Sequence, residues 1–295
     1  MASRNGSTWL KEQRVIAILI VGLATGLTVA GCVAAGSSSG GAKTPSDAAG
    51  SAPAQATSSP TASSPTVSSS AASSPAASIS LAGWKLTLPV DRAGQLSGAA
   101  QALSAAVLVP PWLTRNADGS LTFWAPAGAA TTPNSGHSRT ELVSTSAFAL
   151  GAASHTLAAT LAVTQVPDTD HDIIVGQIHG GGSISSVPFV MLHWRAGDIV
   201  VVVKRALSGS SAQNFTLLQG VPLGGRFGYT ISDAGDGELS LTATYAGRTG
   251  KAAARIPEAF LGTEMRFQVG DYQQATSGSS AADGGRVVFY AITSS

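Results

Sequence analysis

From Ile79 to the C-terminus the chain is cut into short runs in which apolar and polar residues alternate, each closed by glycine, proline or aspartate. A period of two puts successive side chains on opposite faces of an extended strand, so these runs specify half-buried β-strands. Trp84-Lys85-Leu86-Thr87-Leu88 alternates and stops at Pro89, Leu121–Trp124 ends at Ala125-Pro126, and Thr156–Val163 is closed by Pro167. Phe189–Trp194 and Asp198–Lys204 read as a hairpin joined at Arg195-Ala196-Gly197. Phe227–Ile231 and Leu239–Tyr245 flank a turn at Asp233-Ala234-Gly235-Asp236-Gly237, and Arg286–Ile292 closes the chain. Only Ala99–Val107 reads as helical, with Pro257–Leu261 a short turn. The pattern predicts a single all-β domain over 79–295, two stacked antiparallel sheets with one concave face forming a cleft.

What precedes this domain is of another kind. Arg4, Lys11 and Arg14 lead into a 16-residue apolar run, Val15–Ala30. That is short of the ~20 residues of a permanent membrane helix and fits a secretory signal. The run ends in Leu-Thr-Val-Ala-Gly-Cys, and Cys32 is the only cysteine. Small residues before a cysteine resemble a bacterial lipoprotein signal, so residues 1–32 are expected to be a signal peptide with Cys32 as the lipidation site. The domain is then exported, secreted or tethered to the membrane only through that lipid. One cysteine allows no internal disulfide, so the fold must rest on its core. Residues 33–78 are almost wholly Ser, Ala, Thr, Pro and Gly, with Lys43 and Asp47 the only charges. Such a segment buries too little to offset the entropy of ordering and reads as a flexible tether.

Between Lys85 and Arg286 there are 13 Lys and Arg against 14 Asp and Glu, a net charge of −1. Nothing in that balance suggests nucleic-acid binding, and capture of a polyanion would need cations gathered in a groove. Three stretches supply such a face. In Gly176-Gln177-Ile178-His179-Gly180, alternation sets Gln177 beside His179 with Ile178 in the core behind. In His137-Ser138-Arg139-Thr140-Glu141-Leu142 it aligns His137, Arg139 and Glu141. In Arg266 to Gln274 it aligns Arg266, Gln268, Tyr272 and Gln274 against Phe267 and Val269. Three strands, each with a polar face and an apolar back, form one lined groove. Lys204, at a strand end, is either solvated or substrate-binding. His155, His193 and Trp194 read as structural, Asp168–Asp172 with His171 as a polar loop beside the cleft, and Gly180–Ser183 as a mobile loop over it.

These motifs together resemble polysaccharide lyase family 7, the alginate lyases of β-jelly-roll fold. Arg139-Thr140-Glu141-Leu142 matches the family's Arg-Ser/Thr-Glu-Leu, and Gln177-Ile178-His179 its Gln-Ile/Val-His. Phe267 to Gln274 is similar to the C-terminal Tyr-Phe-Lys-x-Gly-x-Tyr-x-Gln, and Trp84–Pro89 looks like the start of these domains. Three departures stand out: Val143 where a basic residue is usual, Gln268 in place of Lys, and Arg266 in place of Tyr.

The resemblance implies β-elimination on an acidic polysaccharide, with no metal or cofactor and a monomer as the expected state. Arg139 and Gln177 would neutralise the uronate carboxylate. His179 and Tyr272 would act as base and acid. Gln274, Gln268, Lys204 and His137 would bind substrate, and Glu141 would hold Arg139. Two other functions fit the same residues: a lyase for another polyuronate such as glucuronan, or a non-catalytic carbohydrate-binding sandwich.

Overall fold

The structure, a computed structural model, describes residues 78–295. Cys32, the expected signal peptide and nearly all of the expected linker lie outside the described residues.

Sixteen strands make up two sheets. In chain order they are β1 (Trp84–Thr87), β2 (Ala102–Leu103), β3 (Leu113–Arg115), β4 (Leu121–Pro126), β5 (Arg139–Ser144) and β6 (Phe148–Ala149). Then come β7 (His155–Gln165), β8 (Asp172–Gly180), β9 (Pro188–Arg195), β10 (Asp198–Lys204) and β11 (Ala212–Leu218). The last five are β12 (Phe227–Asp233), β13 (Glu238–Tyr245), β14 (Arg248–Arg255), β15 (Glu264–Gln273) and β16 (Gly284–Ser294). The front sheet runs β11-β10-β9-β8-β15-β5-β1-β2, with β6 also on β15, and the back sheet β14-β13-β12-β7-β16-β4-β3. Every ladder pairing is antiparallel. This is the sandwich of two antiparallel sheets that the alternation predicts, and the jelly roll that the family resemblance implies.

The layer between the sheets is apolar. Leu86, Leu142, Ile178, Leu192 and Val269 from the front meet Phe123, Leu161, Phe227, Ile231 and Phe289 from the back, all of them buried. A fully buried side chain of this size contributes roughly 1.5–3 kcal/mol. The hairpin expected at Arg195–Gly197 is present, with Ala196 and Gly197 both at positive φ, as a two-residue turn between twisted strands requires. Pro257–Leu261 holds a 3-10 turn, Glu258–Phe260.

Ala99–Val107 is not a helix. Its backbone bonds sideways: Gln101 N–H donates to Val90 O at 2.7 Å, Ala100 N–H to Thr131 O at 2.9 Å, and Ala102–Leu103 pairs with β1 as an edge strand. Open backbone partners on β1 outweigh the helix propensity of an alanine-rich run. Gly180–Ser183 is no free loop either. Gly180 N–H donates to Val187 O and Gly181 N–H to Glu264 O, and Gly182–Ile184 forms a 3-10 turn.

Candidate active site

The outward face of β8 is set by an irregularity. A regular strand carrying Ile174 on that face would also carry Gly176 there and turn Gln177 inward. The registers with both β15 and β9 shift at this point, however. Val175 lies in the core, and a Cβ on Gly176 would fall 2.3 Å from the Tyr229 hydroxyl, so two consecutive residues face inward. Tyr229 donates its hydroxyl to Val175 O at 3.0 Å across that gap. After this bulge the phase is reversed: Gln177 and His179 face the cleft and Ile178 packs inside.

β5 and β15 supply the neighbours. Their pairing sets Arg139 opposite Tyr272 and Val143 opposite Gln268, and Gln268 in turn lies opposite Gln177 on β8. Arg139, Glu141, Gln177, His179, Gln268, Tyr272 and Gln274 line one cleft of about 280 Å³. The Arg139 guanidinium carbon sits 3.5 Å from the centroid of the Tyr272 ring, and its Nη1 bonds Glu141 Oε2 at 3.2 Å. Glu141 is completely buried, which pushes its carboxyl above the usual range although Arg139 and Gln177 draw it down. Burial likewise lowers the His179 imidazole, and the Arg139 charge lowers it further, against a hydrogen bond to Gly180 O that raises it. With hydrogen on Nδ1, His179 donates to that carbonyl at 3.3 Å and Nε2 keeps its lone pair.

Gln177 is arranged differently from the expected donor to a substrate. Its amide nitrogen donates to Glu141 Oε1 at 2.5 Å and to Gln268 Oε1 at 3.2 Å, while its own oxygen is buried without a partner. A buried carboxylate beside it takes the amide hydrogens first. Gln274 lines the cleft and donates to Tyr272 O at 2.9 Å.

The remaining expected residues lie apart. His137 precedes β5 and packs edge-on to Tyr272, ring centroids 6.2 Å apart, outside the cleft lining. Lys204 closes β10 and donates to Gly209 O at 2.7 Å, also outside it, and Arg266 pairs with Glu264 at 3.0 Å. Asp172 begins β8 rather than belonging to a polar loop. It accepts from His193 Nδ1 and Arg195 Nε, both at 2.7 Å. Burial pushes Asp172 up, but these bonds outweigh it and hold the carboxyl below its ordinary value. Among the described residues no three His, Cys, Asp or Glu side chains gather as a metal site.

Sequence reasoning missed Ser135, whose hydroxyl lies 2.9 Å from that of Tyr272, and the cleft wall made by Ser185, Ser186, Pro188 and Met191. Ser135 belongs to a turn with no strand period, so no alternation marks it. A second depression, about 260 Å³ on the back sheet, is lined by threonines, alanines, Gly228 and Tyr229 and has no carboxylate, imidazole or cation.

The family model described as "Alginate lyase" matches residues 79–295. No curated protein matches the chain. Among solved structures, alginate lyase PA1167 from Pseudomonas aeruginosa is 27% identical with a TM-score of 0.64, over 73% of this chain and 99% of that one. The alginate lyase from Klebsiella pneumoniae is 22% identical with a TM-score of 0.64, over 75% and 98%. Alginate lyase A1-II′, described as a member of polysaccharide lyase family 7, is 24% identical with a TM-score of 0.61, over 74% and 96%. The latter two share the fold. The family match takes in both sheets and every strand of the cleft: the chain belongs to the alginate lyases of polysaccharide lyase family 7.

Proposed function

We propose that the protein cleaves alginate by β-elimination in the cleft between β5, β8 and β15, through a mechanism that draws on its own side chains alone. The observation that carries this is the convergence of Arg139, Gln177, His179 and Tyr272 on one cleft. The C5 proton of a uronate is weakly acidic, and the adjacent carboxylate opposes a second negative charge. Arg139 meets that carboxylate, and the charge that develops beside it, with a fixed cation. The Gln177 amide has the same shape either way round. Turned over, it gives its oxygen to a protonated Glu141, a form that burial favours, and points its hydrogens to the side where its oxygen now has no partner; a small turn of the side chain then brings one of them to the uronate. His179 Nε2 takes the C5 proton, C4 and C5 become doubly bonded, the C4–O4 bond breaks, and Tyr272 gives its proton to O4. Where the C5 proton lies on the tyrosine side of the ring, as in mannuronate, Tyr272 as its phenolate takes that proton and passes it to O4. A variant of A1-II′, a protein sharing this fold, has been solved in complex with a substrate designated GGMG.

A second reading, a lyase for another polyuronate such as glucuronan, draws on Val143 and Gln268. They face each other within the cleft where the family resemblance implies two cations. Ultraviolet absorbance of the conjugated double bond tests both. The protein is mixed with polyguluronate, polymannuronate, alginate and glucuronan. Absorbance that rises only on glucuronan replaces the first reading with the second, and a flat trace on all four leaves a carbohydrate-binding sandwich.

A further inference from the structure

Ser135 stands in the turn before β5, where its N–H donates to Thr132 O at 3.0 Å. Its hydroxyl has three neighbours: the Tyr272 hydroxyl at 2.9 Å, His137 N–H at 3.0 Å and His137 O at 3.1 Å. A serine hydroxyl holds one hydrogen and two lone pairs. When Tyr272 is a phenol pointing at Ser135, the phenol and His137 N–H fill both lone pairs and the serine hydrogen goes to His137 O. When Tyr272 turns its hydrogen to a substrate oxygen, the serine hydrogen swings to the tyrosine oxygen instead. One rotation about Cβ–Oγ thus satisfies Ser135 in both states, with His137 N–H holding it in place and no heavy atom moving.

From this geometry we infer that Ser135 is a positioning residue for the elimination, donating to the Tyr272 oxygen as that oxygen becomes a phenolate. The inference rests on the lyase reading above. In the step concerned the phenol O–H bond breaks, the O4–H bond forms, and the electron pair left on the tyrosine oxygen is met by two groups. Ser135 donates from one side, and the Arg139 guanidinium lies over the ring face at 3.5 Å. Both are in place before charge develops, so neither has to reorganise during the step. When Tyr272 later recovers a proton, Ser135 returns its hydrogen to His137 O.

The test is kinetic on Ser135→Ala and Ser135→Thr, with oligouronate binding to Tyr272→Phe and to Tyr272→Phe/Ser135→Ala. A hydrogen bond to a charged group predicts that S135A loses about ten- to a hundredfold in kcat with KM within about twofold, most of the loss being recovered by S135T. Without the phenol Ser135 has no charge to meet, so an alginate tetrasaccharide binds Y272F and the double variant with equal Kd. A role confined to shaping the turn would instead move KM, because Ser135 lines the cleft, and would weaken binding in the double variant. Either result overturns the inference, as does an unchanged S135A in an active enzyme. A wild-type protein silent on every polyuronate overturns the lyase reading, and the inference with it.

Discussion

Replacing Arg139 with methionine leaves the Glu141 carboxylate buried with no cation within reach. In the structure the guanidinium lies 3.2 Å from a carboxyl that has no exposed surface, and burial already holds that acid above its ordinary value of 4.5. Removing one partner of a buried pair costs about 3–5 kcal/mol, largely because the other is left charged and dry. Glu141 escapes that penalty by keeping a proton, and the escape is easier at low pH. In the unfolded chain Glu141 is ionised above about pH 4.5, while the folded variant retains the proton well above that. Burial holds the wild-type acid above 4.5 as well, so both proteins lose stability alike until the wild-type carboxyl ionises; between that point and the variant's higher pKa the deficit grows by about 1.4 kcal/mol per unit. The deficit is therefore larger at pH 8 than at pH 5. Urea unfolding followed by tryptophan fluorescence at both pH values reads it directly, for R139M and for R139M/E141Q. The glutamine has no proton to lose, so E141Q should remove the part of the deficit that grows with pH, the remainder being the lost packing on Tyr272. A deficit equal at pH 5 and pH 8 in R139M would refute the reasoning, and so would one that E141Q leaves untouched.

Two other outcomes follow from the strand that carries His179. Because burial and Arg139 lower the imidazole, the acid limb of the kcat/KM profile should lie below 6.5, where the neutral base is lost to protonation; a limb above that value means a different group is titrating. Gly176→Ala should destabilise by about 2–5 kcal/mol, since the new Cβ meets the Tyr229 hydroxyl at 2.3 Å and its ring carbon at 2.6 Å and drives the tyrosine off Val175 O. A melting temperature equal to wild type would show that the core at the bulge is loose.

Alternation located most of the long strands and assigned Gln177, His179, Arg139 and Tyr272 to one side of their strands, since an outward polar row backed by Ile178, Leu142 and Val269 admits little else. It gave no warning of the bulge at Val175-Gly176, which depends on Tyr229 arriving from the other sheet. β11 and β14 escaped notice because they carry few large apolar residues: Ala212–Leu218 is mostly exposed, and Arg248–Arg255 buries only Ala254. Ala99–Val107 misled for a related reason. Its alanines are consistent with a helix until β1 offers the backbone an edge. His137 was placed by extending the β5 period two residues past the strand's first residue, Arg139, where the chain already turns.

The polar residues that never reach the cleft account for part of the motif pattern. Behind Arg139 and Tyr272 the two sheets are tied by polar bonds rather than by apolar contact alone. Thr140 donates to Trp124 O at 2.6 Å, Ser138 to Pro126 O, and Ala125 N–H to Asp271 Oδ2 at 3.1 Å. Burial pushes the Asp271 carboxyl well above the usual carboxylate range, and its Oδ2 accepts from β4 inside the sandwich. It fits because Gly285 leaves it room: a Cβ there would lie 2.3 Å from Asp271 Oδ1. Gly270 serves the neighbouring contact, since a Cβ on it would lie 2.4 Å from Thr140 O. Burying such a group contributes little stability, since an apolar pair of the same volume commonly does as well. What it provides here is position: β5 and β15 are held in one register to β4, directly beneath the guanidinium and phenol, which sit 3.5 Å apart. Gly270-Asp271 thus immediately precedes Tyr272, and under the proposed mechanism a tyrosine that must reach O4 tolerates little drift.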